Sequence, residues 1–188
     1  MLFNALRCRA HQPLAEGATV SRRTRPLGDG EVNTPVSSPF DEMHHLCIVV
    51  HDLERTVALF ESLGVGPWHD YPPMDEYTTL EVPDTQDFLK LEIKWTQIGA
   101  MQVQVVAPPP GNTRQRRFLE EHGEGVFHLG FVVDDVEQGQ TDALSRGLEV
   151  LMRGRRDDGS GFTYFDTADK GAAVTLSIRQ SKRPSSQR

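Results

Sequence analysis

The chain has 188 residues, of which 37% are hydrophobic and 25% charged, a composition typical of a soluble globular protein. Residues 41–178 hold 24 acidic residues against 11 lysines and arginines, which argues against nucleic acid or an anionic membrane as a partner. No apolar run approaches the roughly 18 residues that a membrane-spanning helix needs.

The first 40 residues differ in composition from the rest of the chain. They are rich in Arg, Pro, Gly, Ser and Thr and follow neither strand nor helix periodicity. We predict that residues 1–40 are a disordered leader and that residues 181–188 are a disordered tail. Because no secretory signal peptide is recognisable, we expect a cytoplasmic protein, with organelle import through residues 1–25 as the alternative.

One ten-residue stretch occurs twice in the remaining sequence. Residues 45–54 return as residues 128–137 without a gap, and six of the ten positions are identical, including the leading histidine. The same offset carries Gly64 onto Gly147. Such a repeat indicates two copies of one supersecondary unit, each too small to bury its own apolar face.

The first copy begins with a strand over residues 44–50. Asp52 is placed as the N-cap of a helix over residues 53–63, and Gly64 is placed to end that helix. Strands are then predicted over three ranges: residues 77–82, 88–96 and 101–107. This order makes residues 41–110 a βαβββ module.

The second copy repeats that order in residues 126–180. A strand over 128–133 precedes a helix over 136–146 capped by Asp135, and Gly139 weakens this helix by about 1 kcal/mol relative to alanine. Three further strands are predicted near residues 148–153, 162–166 and 172–179. A linker helix capped by Asn112 or Thr113 lies within residues 112–125. The prediction is an α+β domain over residues 41–180 whose two modules share a cleft.

Strand alternation predicts which side chains face that cleft. The side of the sheet that faces the helices must be apolar, which turns His45 and His128 toward the opposite side. Gln102 and Gln104 join them by the same rule, and Ser177 and Thr175 do so from the last strand. Applied to residues 89–95 and 77–82, the rule predicts a polar, ionisable wall: Lys90, Glu92, Lys94, Tyr77, Thr79 and Glu81.

These features resemble the vicinal oxygen chelate superfamily of glyoxalases, extradiol dioxygenases, methylmalonyl-CoA epimerases and bleomycin resistance proteins. The resemblance covers residues 41–180 and rests on the βαβββ repeat, the histidines at the strand starts and the Val-x-Asp-Leu/Val-Glu turns. The linker over residues 118–128, FLEEHGEGVFH, is particularly similar to the epimerase branch.

The resemblance implies a divalent metal site, with one ligand from the first and one from the last strand of each module. The matching positions are His45, Gln104 and His128, and the fourth position, usually glutamate, falls on Ser177, with Thr175 as the alternative register. Co, Mn, Ni, Zn and Fe are the candidate ions. Without a carboxylate the site neutralises none of the metal charge, so affinity should fall. The missing carboxylate also counts against a dioxygenase.

Two functions remain open at this point. The first is a metal-dependent isomerase, epimerase or lyase that acts on a small oxygenated metabolite or acyl thioester by stabilising an enolate. Glu92, Lys94 and Glu81 are its predicted acid–base groups. The second is a metal-free protein that binds a small molecule in the same cleft, as resistance proteins do. Either would act on a small molecule, and we expect a homodimer.

Overall fold

The computed structural model describes residues 38–181. Most of the predicted leader and tail therefore lies outside the described residues. Residues 38–40 of the predicted leader are described, and Phe40 packs edge-on against Phe131 and Phe165 beside the core.

Nine strands form one mixed sheet in the order β2-β4-β5-β1-β6-β9-β8-β7-β3. Its strands are β1 (Met43–Val49), β2 (His69–Asp70), β3 (Thr79–Glu81), β4 (Glu92–Ile98), β5 (Met101–Ala107), β6 (Gly125–Val132), β7 (Val150–Arg155), β8 (Gly161–Phe165) and β9 (Thr175–Gln180). Its helices are α1 (Leu53–Ser62), α2 (Thr85–Leu89), α3 (Arg114–His122) and α4 (Val136–Ser145). Short helical turns cover Met74–Glu76 and Ala168–Ala172. The predicted α+β class is confirmed.

The repeat lies at the centre of the sheet. The repeated strands β1 and β6 pair antiparallel, so the two modules form one continuous sheet. The last strand of each module lies parallel beside its first strand, β5 beside β1 and β9 beside β6. This topology brings the predicted ligand strands together as four neighbours.

The helix boundaries follow the capping residues that the sequence offers. Asp52 accepts a hydrogen bond from the Arg55 backbone nitrogen at 2.9 Å, and Asp135 caps α4 in the same way. Thr113 is the cap of α3. Gly64 and Gly147 follow α1 and α4 with φ angles of +81° and +85°, which glycine adopts without strain.

The sheet has a hydrophobic core on each of its faces. Helices α1 and α4 cover one face, where Val57 packs with Val105 and Ala143 packs with Ile178. On the other face Cys47 and Met152 belong to a separate cluster, which Leu119 of α3 helps to cover. The predicted linker helix is therefore part of the wall on the face that carries the two histidines. Within residues 38–181, no helix is long and apolar enough to cross a membrane.

Two predictions about module one are wrong. Residues 85–89 form helix α2, capped by Asp84, so the strand predicted to start at residue 88 starts at Glu92. Strand β3 pairs with β7 of module two, where Thr79 lies opposite Arg155, although the sequence grouped it with module one. The chain thus crosses to the far edge of the sheet and returns through α2.

Candidate functional site

A cleft lies on the face of the sheet opposite α1 and α4. The polar residues at its centre come from the four central strands: His45 from β1, His128 from β6, Gln104 from β5 and Ser177 from β9. The remaining wall is largely aromatic and aliphatic, and it includes Tyr71, Tyr77, Phe88, Leu91, Ile93, Phe162 and Tyr164. The enclosed cavity measures about 50 Å³, space for very few water molecules.

The two repeated histidines meet at the centre of this cleft. His45 Nε2 lies 2.9 Å from His128 Nε2, and the side chains are 5% and 2% exposed. Strand register explains the approach: His45 lies opposite Gly130, and a Cβ atom at Gly130 would overlap the His45 imidazole. Glycine at this position is therefore required for the close approach.

Burial keeps both imidazoles neutral. It lowers the pKa of His128 to about 3. Burial also lowers the pKa of His45 far below its usual value, and the charges of His128, Arg179 and His44 add to this effect. Since each neutral imidazole carries one proton, one of the facing Nε2 atoms donates and the other accepts. His45 Nδ1 lies 3.1 Å from His44 Nδ1 and so has a partner of its own.

The separation of the two histidine nitrogens suits a shared divalent cation. Two nitrogens bound at about 2.1 Å and at right angles to each other lie about 3 Å apart, close to the observed Nε2 separation of 2.9 Å. Metal ligands must be neutral imidazoles, as these are. Gln104 Nε2 donates to Gln102 Oε1 at 2.7 Å, which leaves the Gln104 carbonyl oxygen as the atom available to a cation.

Among the described residues, the outer ring nitrogen of His128, Nδ1, lacks the hydrogen bond that a metal-binding histidine usually makes. Within residues 38–181, His128 Nδ1 is buried and has no hydrogen-bond partner. In metal sites this outer nitrogen usually donates to a carboxylate or a carbonyl. The donor set therefore fits a cation at the inner nitrogens, although the outer nitrogen of His128 lacks that support.

Ser177, the predicted fourth ligand, provides a hydroxyl to the cleft. It lines the cleft, is 2% exposed and lies opposite Gly130, whereas Thr175 does not line the cleft. Its hydroxyl donates to the Leu129 carbonyl at 3.5 Å. In the part of the chain that the structure describes, no three His, Cys, Asp or Glu side chains are grouped to hold a metal. The donor set is therefore neutral.

The predicted positions of Glu92 and Lys94 are wrong. Ile93 of β4 and Leu91, just before that strand, line the cleft. Lys94 lies opposite Val105, which packs under α1. Lys94 Nζ binds Asp70 at 2.9 Å and lies 3.9 Å from Glu54 of α1. Alternation failed here because the cleft face has an apolar core of its own, so apolar residues do not identify the helix side.

Lys90 and Glu81 are also outside the cleft. Lys90 follows α2 and forms an exposed ion pair with Asp87. Glu81 lies on the edge strand β3 and pairs with Arg153, while its neighbour Leu80 packs against the cleft-side core. The three predicted acid–base residues, Glu92, Lys94 and Glu81, therefore do not line the cleft. Within the described chain its lining includes no aspartate or glutamate.

Tyr164 of β8 also lines the cleft, although it is not among the residues predicted from the sequence. Its hydroxyl lies 3.2 Å from His128 Nε2. Burial raises the pKa of this hydroxyl well above its usual value, so it stays protonated. Alternation along the predicted strand 162–166 would have revealed this residue, because Tyr164 lies opposite Ser177.

Two arginines also line the cleft. The guanidinium of Arg156 lies 4.2 Å above the centre of the Tyr77 ring. Arg179 lies two residues beyond Ser177 on β9 and lines the same cleft. Arg179 could have been identified from the alternation of side chains along the last strand, because it follows Ser177 by two residues.

Comparison with known proteins agrees with this architecture. The sequence profile of the Glyoxalase/Bleomycin resistance protein/Dioxygenase superfamily matches residues 44–165. No curated protein matches the chain significantly.

Solved structures share the fold at low sequence identity. Methylmalonyl-CoA epimerase from Mycobacterium tuberculosis aligns with a TM-score of 0.60 at 18% identity, over 80% of this chain and 95% of that chain. A variant of the Streptomyces coelicolor epimerase in complex with 2-nitronate-propionyl-CoA gives 0.59 at 22% identity, over 77% and 99%. A hypothetical protein from Bacillus halodurans C-125 gives 0.57 at 15% identity, over 77% and 96%. With the profile match covering most of the chain, this protein belongs to the glyoxalase/bleomycin resistance protein/dioxygenase superfamily.

Proposed function

We propose that this chain is an enzyme of the epimerase or isomerase type that acts on a small oxygenated metabolite or an acyl thioester. The observation that carries the proposal is the pair of equivalent histidines, whose Nε2 atoms face each other across 2.9 Å in the cleft. The structural similarity to epimerases, one of them bound to an acyl-CoA analogue, supports this reaction class.

His45, Gln104 and His128 are the residues that we propose hold a divalent ion, with Ser177 beside them. A bound divalent ion would supply a positive charge that lowers the energy of an enolate oxygen. The aromatic wall of the cleft would exclude water and so strengthen every electrostatic interaction inside it.

In place of Glu92, Lys94 and Glu81, we assign Tyr164 as the proton donor to the enolate, because a hydroxyl that stays protonated can donate a proton but cannot remove one. Tyr164 carries a protonated hydroxyl within 3.2 Å of His128 Nε2, close to where an enolate oxygen would lie. Racemisation needs a second group on the opposite face of the substrate. Tyr71 also lines the cleft and is our candidate for that group. Burial raises the pKa of Tyr77, which therefore stays protonated and does not suit the role of base.

A metal-free binding protein is the second candidate. The specific observation in its favour is that all four central donors are neutral and that no carboxylate among the described residues lines the cleft. A neutral site binds a divalent cation weakly. The apolar, aromatic wall suits ligand binding without turnover. For either function, a homodimer and a cytoplasmic location remain predictions.

Metal analysis and proton exchange separate the two candidates. The protein would be purified without chelator, its bound metal determined, and the measurement repeated for His45→Ala, His128→Ala and His122→Ala. His122 lies on the exposed side of α3 and is the matched control. We expect stoichiometric metal in the parent and in His122→Ala only.

The second measurement follows deuterium uptake at the α-carbon of methylmalonyl-CoA in D₂O by NMR. The enzyme proposal predicts uptake that depends on His45 and His128. An absence of metal after addition of Co, Mn, Ni or Zn, together with no uptake, would favour the binding protein.

A further inference from the structure

Every formally charged side chain that lines the cleft carries a positive charge. Among residues 38–181 the lining includes Arg156 and Arg179, and it includes neither aspartate nor glutamate. The cleft therefore has a net positive charge in a protein whose formal charge is −7. This contrast points to an anionic ligand.

The two arginines lie at one end of the cleft. Arg179 pairs with Phe162 of β8, and the backbone nitrogen of Arg156 donates to the Ser160 carbonyl at 2.8 Å, at the β7–β8 turn. Ser177, which lies opposite Gly130 beside the histidine pair, is two residues before Arg179. Two residues of a strand span about 7 Å. Arg179 therefore follows the neutral polar centre of the cleft by about 7 Å of backbone along β9.

Arg179 has no negatively charged partner in the described chain. Its guanidinium forms no ion pair and no hydrogen bond within residues 38–181, although the side chain is only partly exposed. A cation that is partly removed from water without a counter-charge is costly. A ligand anion would remove that cost.

Arg156, which lines the same cleft, is held in place by its own contacts. Its side chain is 11% exposed, stacks on Tyr77 and has its Nε atom 3.4 Å from Glu76 Oε2. Stacking and the ion pair hold the planar guanidinium in one orientation, so little entropy is lost when it binds a ligand.

We propose that Arg179, assisted by Arg156, binds an oxyanion group of the substrate, a carboxylate or a phosphate. This inference rests on the proposed function, since it specifies the substrate class of the same cleft: short anionic metabolites or acyl thioesters that carry a free carboxylate or phosphate.

Anion binding to the chelator-treated full chain tests the proposal without metal or turnover. Isothermal titration calorimetry would use malonate, inorganic phosphate and malonamide, the uncharged analogue of malonate. We expect at least one of the two anions to bind and malonamide not to bind. Arg179→Met should weaken anion binding at least tenfold, roughly the effect of losing a charge-assisted hydrogen bond.

Arg153→Met is the matched control. It removes an arginine of β7 that pairs with Glu81 and does not line the cleft. The proposal is overturned if neither anion binds, if malonamide binds as tightly as malonate, or if Arg153→Met and Arg179→Met have equal effects. Selective binding of malonate or of phosphate identifies the oxyanion.

Metal content measured on the same preparations keeps the two proposals separable. Anion binding that depends on Arg179 in a protein unable to bind metal would support the oxyanion site and count against the metal-dependent enzyme. Metal binding without anion binding would support the metal-dependent enzyme and count against the oxyanion site.

Discussion

Acid should destabilise this protein through its two buried histidines. Burial lowers the pKa of His128 to about 3, and burial with neighbouring charges lowers the pKa of His45 further. In the unfolded chain a histidine has a pKa of about 6.5. Below that value the unfolded state binds more protons than the folded state, so the free energy of unfolding falls as pH falls. For His128 the loss extends down to about pH 3.

The magnitude follows from proton linkage. For each histidine that stays neutral in the folded state, the free energy of unfolding falls by about 1.4 kcal/mol for every unit by which the pH is lowered well below 6.5. Between about pH 7 and about pH 5.5 this amounts to roughly 1.3 kcal/mol for one histidine and roughly 2.5 kcal/mol for both.

Urea unfolding of the chelator-treated protein at the two pH values measures this difference. His128→Gln should remove about half of the pH-dependent loss, and His122→Gln, at an exposed position of α3, serves as the control. Equal pH dependence in the parent and in His128→Gln would refute the reasoning that His128 is buried and neutral.

Four further predictions concern single substitutions. Ser177→Glu should tighten divalent metal binding at least tenfold by adding a charged ligand, measured by competition with a chromophoric chelator; the exposed Ser62→Glu should not. Gly130→Ala should destabilise the fold by roughly 1–3 kcal/mol and reduce metal binding, because the new methyl group overlaps the His45 ring; unchanged urea unfolding would contradict this. Tyr164→Phe should retain metal and lower deuterium uptake into methylmalonyl-CoA by roughly 10²-fold or more, whereas uptake at the parent rate would remove Tyr164 from the proton transfer. Asp52→Ala and Asp135→Ala should each cost about 1 kcal/mol of stability, since they cap equivalent helices; a large difference between them in urea unfolding would show that the two caps are not equivalent.

Much of the fold could be predicted from local signals. The repeat of residues 45–54 at 128–137 predicted two equivalent units, and caps such as Asp52 and Gly64 predicted where the helices begin and end. The alternation of β1 and β6 placed His45 and His128 on one face, because one side of these strands packs under helices and the other faces the cleft.

The same alternation failed at β4. Its two faces are both partly buried, so the pattern of apolar residues could not tell the helix side from the cleft side. The short helix α2 and the crossing of β3 to β7 depend on contacts between residues far apart in the chain, such as Thr78 with Arg155. These contacts decided that Glu92, Lys94 and Glu81 lie outside the cleft.

By itself the sequence determined the family, the two modules and the residue types at four central positions, since these follow from repeats and local periodicity. Tertiary structure alone decided that two histidines separated by 83 positions face each other at 2.9 Å, that Tyr164 approaches His128 and that Arg156 and Arg179 share one end of the cleft. The physical reason is that distances and charge environments in the cleft arise from the pairing of distant strands, which no local pattern encodes.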